Sequence, residues 1–146
     1  MIRIGVLGAI GSGKSYVAKS FGYPVFDADY EVSMLYKKNK KVFTELKRKL
    51  PKYISKFPID KNEIIHSILS NKNNLRKIIK IIHHEIRKKL KIFLRKNKNK
   101  KIVILDIPLL LENKMNAKED LLVFVDSKNK DIDKLLKKRK KFNQKL

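Results

Sequence analysis

Cysteine and tryptophan are absent from the 146 residues. With no thiol, disulfide scaffolds, cysteine-ligated zinc and thiol nucleophiles are all excluded. Glycine and proline number only five and four, too few for a collagen-like or low-complexity chain. No apolar run approaches the roughly 20 residues that span a bilayer, so no membrane partner is expected. The N-terminal stretch MIRIGVLG lacks the apolar segment and cleavage site of a secretory signal, and a cytoplasmic protein is expected. The length suits one domain with a core of its own.

Acidic residues are also scarce: 14 Asp and Glu face 37 Lys and Arg, a net charge of +23. Taken alone, that excess points to nucleic acid or another polyanion. Its composition argues otherwise, because only six of the cations are Arg (Arg3, Arg48, Arg76, Arg87, Arg95 and Arg139). Arg is the better bidentate reader of phosphates and bases. The lysines are spread with Asn and Ile along the whole chain, as AT-rich codon drift would spread them. A dedicated nucleic-acid surface is therefore disfavoured.

Met1 to Leu7 reads as a short buried strand that Gly8 ends. A helix begins around Tyr16 and stops at Gly22 and Pro24. Val25 and Phe26 form a second strand, whose C-terminal end delivers Asp27, Ala28 and Asp29. From Glu31 to about Lys98 the chain is largely helical, with Leu75, Ile78, Ile79, Ile82, Ile86, Leu90, Phe93 and Leu94 at steps of three and four. Asp60 and Glu63 have the spacing of a capping box. Ile102 to Ile107 and Leu121 to Val125 are continuous apolar runs of the kind buried on both faces of a parallel sheet. Ile132, Leu135 and Leu136 open a last basic helix. This order predicts an α/β protein with a mostly parallel sheet.

The segment Gly8-Ala9-Ile10-Gly11-Ser12-Gly13-Lys14-Ser15 matches G-x-x-x-x-G-K-[ST] and lies between a predicted strand and a predicted helix. Its glycines let backbone N–H groups wrap a phosphate. Lys14 is placed for the β- and γ-phosphates, and the Ser15 hydroxyl for the Mg²⁺ shell. Asp27 and Asp29, two apart on extended chain, are expected to point the same way at the ligand-binding edge of the sheet. One of them is a candidate base for an acceptor hydroxyl. Asp106 ends a buried strand, where an acid reaches the metal through water; Glu112 is a similar candidate. The histidines lack metal-ligand spacing, and His66 reads as a partly buried structural residue.

Assembled, these segments resemble the dephospho-coenzyme A kinase family. The likeness covers Ile4 to Ser15, Asp27-Ala28-Asp29, Ile82-His83-His84-Glu85-Ile86-Arg87 and Asp106-Ile107-Pro108-Leu109-Leu110-Leu111-Glu112, in order along essentially the whole chain. It implies a P-loop NTPase three-layer fold in one kinase domain: a core of 1–30 and 99–130, a helical acceptor-binding insertion of 31–98, and the start of a lid at 131–146. It implies ATP and dephospho-coenzyme A as partners, Mg²⁺ as cofactor, and a protein able to act as a monomer. By the same resemblance, Asp29 is the general base on the ribose 3′-hydroxyl, and Gly11, Ser12, Gly13, Lys14, Ser15 and Tyr16 cradle ATP. Asp27, His83, Arg87, Leu109, Leu110 and Glu112 hold the acceptor, and Arg139 is a lid arginine that offsets charge on the transferred group. Three positions depart from the family pattern: Tyr16 for Ser or Thr, His84 for Pro, and Leu111 for an aromatic residue. The family also continues beyond the point matching Leu146, through the rest of the lid, a strand and a helix. Two other readings stay open: a kinase for another small acceptor such as a nucleoside monophosphate, and a basic nucleic-acid-binding module built on a P-loop.

Overall fold

The computed structural model describes residues 1–8, 13–107 and 120–125. The chain divides into two units, one built from Met1–Asp27 with the described residues from Phe93 onward, the other from Ala28–Ile92.

The first unit is a parallel sheet. Strands β1 (Ile2–Leu7), β2 (Val25–Asp27), β3 (Ile102–Asp106) and β4 (Leu121–Phe124) lie in the order β2-β3-β1-β4, and all three pairings are parallel. The α/β class with a parallel sheet is what the sequence predicts. Helix α1 (Lys14–Ser20) follows β1. Val6, Ala18 and Ile104 are fully buried together, with Ile4, Val25, Ile102 and Val125 packed around them. The small Ala18 side chain lets α1 lie close to the sheet, while Phe26 meets Phe93 at 5.5 Å between ring centres. β3 is central and buried as its apolar run predicts. β4 departs from that expectation, since Leu121, Leu122 and Phe124 are exposed. It stands at one end of the described strand order, where a strand lacks a neighbour on one side.

The second unit is helical. It contains α2 (Ala28–Lys38), α3 (Lys40–Lys49), α4 (Lys61–Ser70) and most of α5 (Lys72–Lys96). Along α5 the buried residues Asn74, Ile78, Ile82, Ile86 and Leu90 recur every fourth position, the spacing that keeps one ridge inward over a few turns. Asn39 caps α3 by accepting the Val42 N–H at 2.9 Å, satisfying one of the donors that a helix start leaves over. Asp60 caps α4, but through the Asn62 N–H at 2.8 Å. The expected capping box does not form, because the Glu63 carboxylate reaches instead to the Ser55 N–H. His66 also differs from expectation: it is exposed, with its ring set edge-on to Tyr53 at 5.7 Å. Burial of Tyr36 pushes its hydroxyl up to about 12, because the phenolate is the form that loses hydration.

Candidate active site

The site grows from the start of α1. Gly13 caps α1 with φ 90° and ψ 15°, left-handed geometry with no side-chain cap. Only glycine takes that conformation without a steric penalty. The first bond of the helix runs from the Val17 N–H to the Gly13 carbonyl at 2.9 Å. The N–H groups of Lys14, Ser15 and Tyr16 therefore precede the helical ladder and have no acceptor within it. Backbone donors of this kind, at the positive end of the peptide dipoles, suit an anion.

Two side chains of the first turn converge on one acid. The Ser15 hydroxyl donates to Asp106 Oδ2 at 2.8 Å, and Lys14 Nζ lies 3.3 Å from Asp106 Oδ1. Asp106 is the last residue of β3 and is only 4 % exposed. A carboxylate that deep is retained because a cation and a hydroxyl both meet it. The contact also orients the chemistry. With its proton committed to Asp106, Ser15 Oγ turns its lone pairs elsewhere and becomes an oxygen ligand for a hard cation. Lys14 has three N–H donors, of which Asp106 occupies one side, leaving the ammonium able to meet a phosphate as well.

The parallel register brings in another acid, since Asp27, the last residue of β2, is the partner of Asp106 across the β2–β3 pair. Residues in register on neighbouring strands share a sheet face about 4.8 Å apart. This juxtaposition was not visible in the sequence, because the two acids lie in different motifs and nothing local gives a strand pairing.

Asp29 does not stand beside Asp27 on extended chain. The strand ends at Asp27, and α2 begins at Ala28, so the period changes from two to 3.6 between them and the expected same-side projection is lost. The physical reason is the helix start: an acid in the first turn is favoured by the N-terminal partial charge, and Asp29 and Glu31 both occupy that turn. Asp29 is exposed.

On α5, His83 and Arg87 are four residues apart and share a face. Burial, with the Arg87 charge adding to it, holds the His83 imidazole below its ordinary value, so the ring is neutral at pH 7. Within the same unit, Glu31 Oε2 of α2 lies 3.2 Å from Lys89 Nζ of α5. No spacing in the sequence signals that pair. Tyr16 has its backbone N–H in the first turn, while the residue is 81 % exposed. Gly11, Ser12, Leu109, Leu110, Leu111, Glu112, Arg139 and the predicted lid at 131–146 lie outside the described residues.

Among the described residues no cluster of three or more His, Cys, Asp or Glu could hold a metal on its own. The oxygen donors Ser15 and Asp106 instead fit a Mg²⁺ that shares its shell with nucleotide phosphates, the usual arrangement for this ion. Among the same residues, no helix is long and apolar enough to cross a membrane.

A family model of dephospho-CoA kinase matches residues 2–145. The chain is similar to the dephospho-CoA kinase of Wolbachia sp. subsp. Brugia malayi, 35% identical over 127 residues that cover 84% of this chain and 65% of that one. It is 32% identical over 130 residues to the dephospho-CoA kinase of Zymomonas mobilis, covering 87% of this chain and 66% of that one. Its fold is similar to the crystal structure of TT1252 from Thermus thermophilus, with a TM-score of 0.75, 28% identity, and coverage of 99% of this chain and 75% of that one. The chain thus spans about two thirds of the length of the curated relatives it matches.

Proposed function

The chain belongs to the dephospho-CoA kinase family, and from that premise we propose that it transfers the γ-phosphoryl group of ATP to the 3′-hydroxyl of dephospho-CoA. The observation that carries this reading is the convergence of Lys14 and Ser15 on Asp106, directly after a left-handed Gly13. It joins the two halves of a phosphate and metal site that a P-loop kinase needs.

In this reading, the N–H groups of the first α1 turn and Lys14 bind the ATP phosphates and fix the γ-phosphorus for in-line attack. Ser15 would hold a Mg²⁺ ion directly and Asp106 through water; the ion supplies charge neutralisation on the phosphate oxygens. Asp29 takes the proton from the ribose 3′-hydroxyl as its oxygen forms the bond to the γ-phosphorus. The bond from that phosphorus to the β,γ-bridging oxygen breaks, and ADP leaves with the electron pair. Asp27, His83 and Arg87 orient the acceptor, with neutral His83 as a hydrogen-bond partner and Arg87 as the counter-charge to its phosphates. The roles of Gly11, Ser12, Leu109, Leu110, Glu112 and Arg139 rest on the family resemblance alone. So does action as a monomer.

The test is ADP release from Mg-ATP in the presence of dephospho-CoA, of AMP, or of no acceptor, with the unchanged chain and with Asp29→Asn. Release that requires dephospho-CoA and falls by about 10²-fold or more in the variant is expected of a general base. Release that prefers AMP would assign a nucleoside-monophosphate acceptor instead. ATP binding without acceptor-dependent release would overturn the kinase reading.

A further inference from the structure

Resting on that reading, we propose that Glu31 and Lys89 are positioning residues. Their ion pair ties α2, which carries the base Asp29, to α5, which carries His83 and Arg87, and so keeps the acceptor aligned with its base. Glu31 Oε2 and Lys89 Nζ are 3.2 Å apart, and both belong to the unit Ala28–Ile92.

The location of the pair gives it this role. On α2, the buried residues Ala28, Leu35 and Tyr36 form the inward stripe, and Glu31 stands three positions after Ala28 and four before Leu35, at the margin of that stripe. Lys89 stands three positions after Ile86 and one before Leu90, both buried on α5, and so also borders a buried stripe. Asp29 and Arg87 are each two residues away from the pair, about 200° around their helices, and both are exposed. The tie therefore joins the buried margins of α2 and α5, within one turn of Asp29 on one helix and of Arg87 on the other. A contact so placed restrains the rotation and slide of one helix against the other, and Asp29, His83 and Arg87 move with their helices.

The pair is poorly suited to be a stability device. Lys89 and Glu31 side chains are 34% and 28% exposed, and ion pairs open to water are screened and contribute little to folding. Alignment is different, because a misplacement of about 1 Å in a reacting pair can cost up to 10²-fold in rate. The chain also contains a matched control. Next to Lys89, Lys88 pairs with Glu85 at 3.3 Å within α5 itself, the same chemistry without a link between helices.

The experiment measures steady-state kinetics and melting temperature on the full chain for Glu31→Gln, Lys89→Met, Glu85→Gln and the exchanged pair Glu31→Lys with Lys89→Glu. Glu31→Gln and Lys89→Met are expected to lower kcat about 5- to 20-fold with KM for ATP and melting temperature unchanged. The exchanged pair is expected to recover most of that loss, and Glu85→Gln to behave like the unchanged chain. An equal loss in Glu85→Gln would make the effect one of net charge and overturn the proposal, as would unchanged kcat in Glu31→Gln and Lys89→Met. Failure of the kinase reading looks different: the unchanged chain then shows no acceptor-dependent turnover. Amide hydrogen exchange over Tyr30 to Leu35 still decides the tie in that case. Faster exchange in Glu31→Gln but not in Glu85→Gln supports it, and equal exchange in all three proteins overturns it.

Discussion

Ser15 donates its hydroxyl hydrogen to Asp106 across 91 residues of sequence, at 2.8 Å. The bond fixes the end of β3 to the first turn of α1, and with Lys14 at 3.3 Å it makes one buried acid the partner of both side chains of the phosphate motif. Asp106→Asn removes the charge while keeping the shape. Lys14 is then released toward phosphate, and Ser15 loses its ionised acceptor. Turnover with Mg-ATP is expected to fall about 10- to 100-fold, the range for lost outer-shell partners of a metal, while ATP affinity in the presence of a chelator is retained or rises. Titration calorimetry with and without Mg²⁺ separates the two effects. Equal loss of affinity under both conditions would show that Asp106 only supports the fold.

Gly13→Ala tests the backbone of the same turn. At φ 90° and ψ 15° a Cβ meets the steric cost of left-handed backbone, about 1–2 kcal/mol per residue. If the turn instead relaxes to avoid that cost, the N–H groups of Lys14, Ser15 and Tyr16 lose their alignment. That relaxation is expected to weaken ATP binding, and urea unfolding to show a lower midpoint with an unchanged slope. Gly22→Ala is the comparison. Gly22 also has positive φ, at 75°, but no neighbour within 4 Å of an added Cβ. It should cost stability without weakening ATP.

The elements that carry strong local signals were legible in the sequence. β1 and β3 are apolar runs with sharp ends, α5 has a long helical period, and Gly13 ahead of Lys14 and Ser15 marks the start of α1. Asp106 was legible as an acid at the end of a buried strand because it closes such a run. The D-A-D step was not, because β2 is three residues long and nothing in Val25 to Asp29 marks where the strand period gives way to the helical one. β4 misled for another reason: hydrophobicity predicts that a strand can be buried, and its place in the strand order decides whether it is. The pairings of Asp27 with Asp106 and of Glu31 with Lys89 arise from strand register and helix docking, which no local pattern encodes.

Asn74 is a buried polar residue on α5, 5 % exposed, and its side-chain amide donates to the Ser67 carbonyl at 2.9 Å. That carbonyl also accepts the Asn71 N–H, so Asn74→Ala leaves it with one partner and opens a small void. The expected cost is about 1–2 kcal/mol, read from urea unfolding. Asn73→Ala should change stability by less than about 0.5 kcal/mol. Asn73 is exposed, and the bond it makes to the Asn71 side chain uses its backbone N–H, which alanine keeps.

His83 gives a pH dependence whose sign follows from its surroundings. Burial first, and the Arg87 charge second, hold it below its ordinary value of 6.5. Above that value the ring is neutral in both folded and unfolded chains and adds no slope. As the pH falls through it, the unfolded chain takes up the proton before the folded one does, so stability declines until the lowered folded value is passed. Replacing His83 by Gln removes this titration but keeps a neutral hydrogen-bonding side chain. Thermal melts between pH 7.5 and 5 are therefore expected to lose more stability in the unchanged chain than in His83→Gln. The reverse order, with His83→Gln the more acid-sensitive, would mean that the protonated ring finds an anionic partner in the fold. In turnover assays the same titration adds a second positive charge beside Arg87 at low pH, which tightens the grip on an anionic acceptor. KM for dephospho-CoA should accordingly fall with pH in the unchanged chain and stay flatter in His83→Gln.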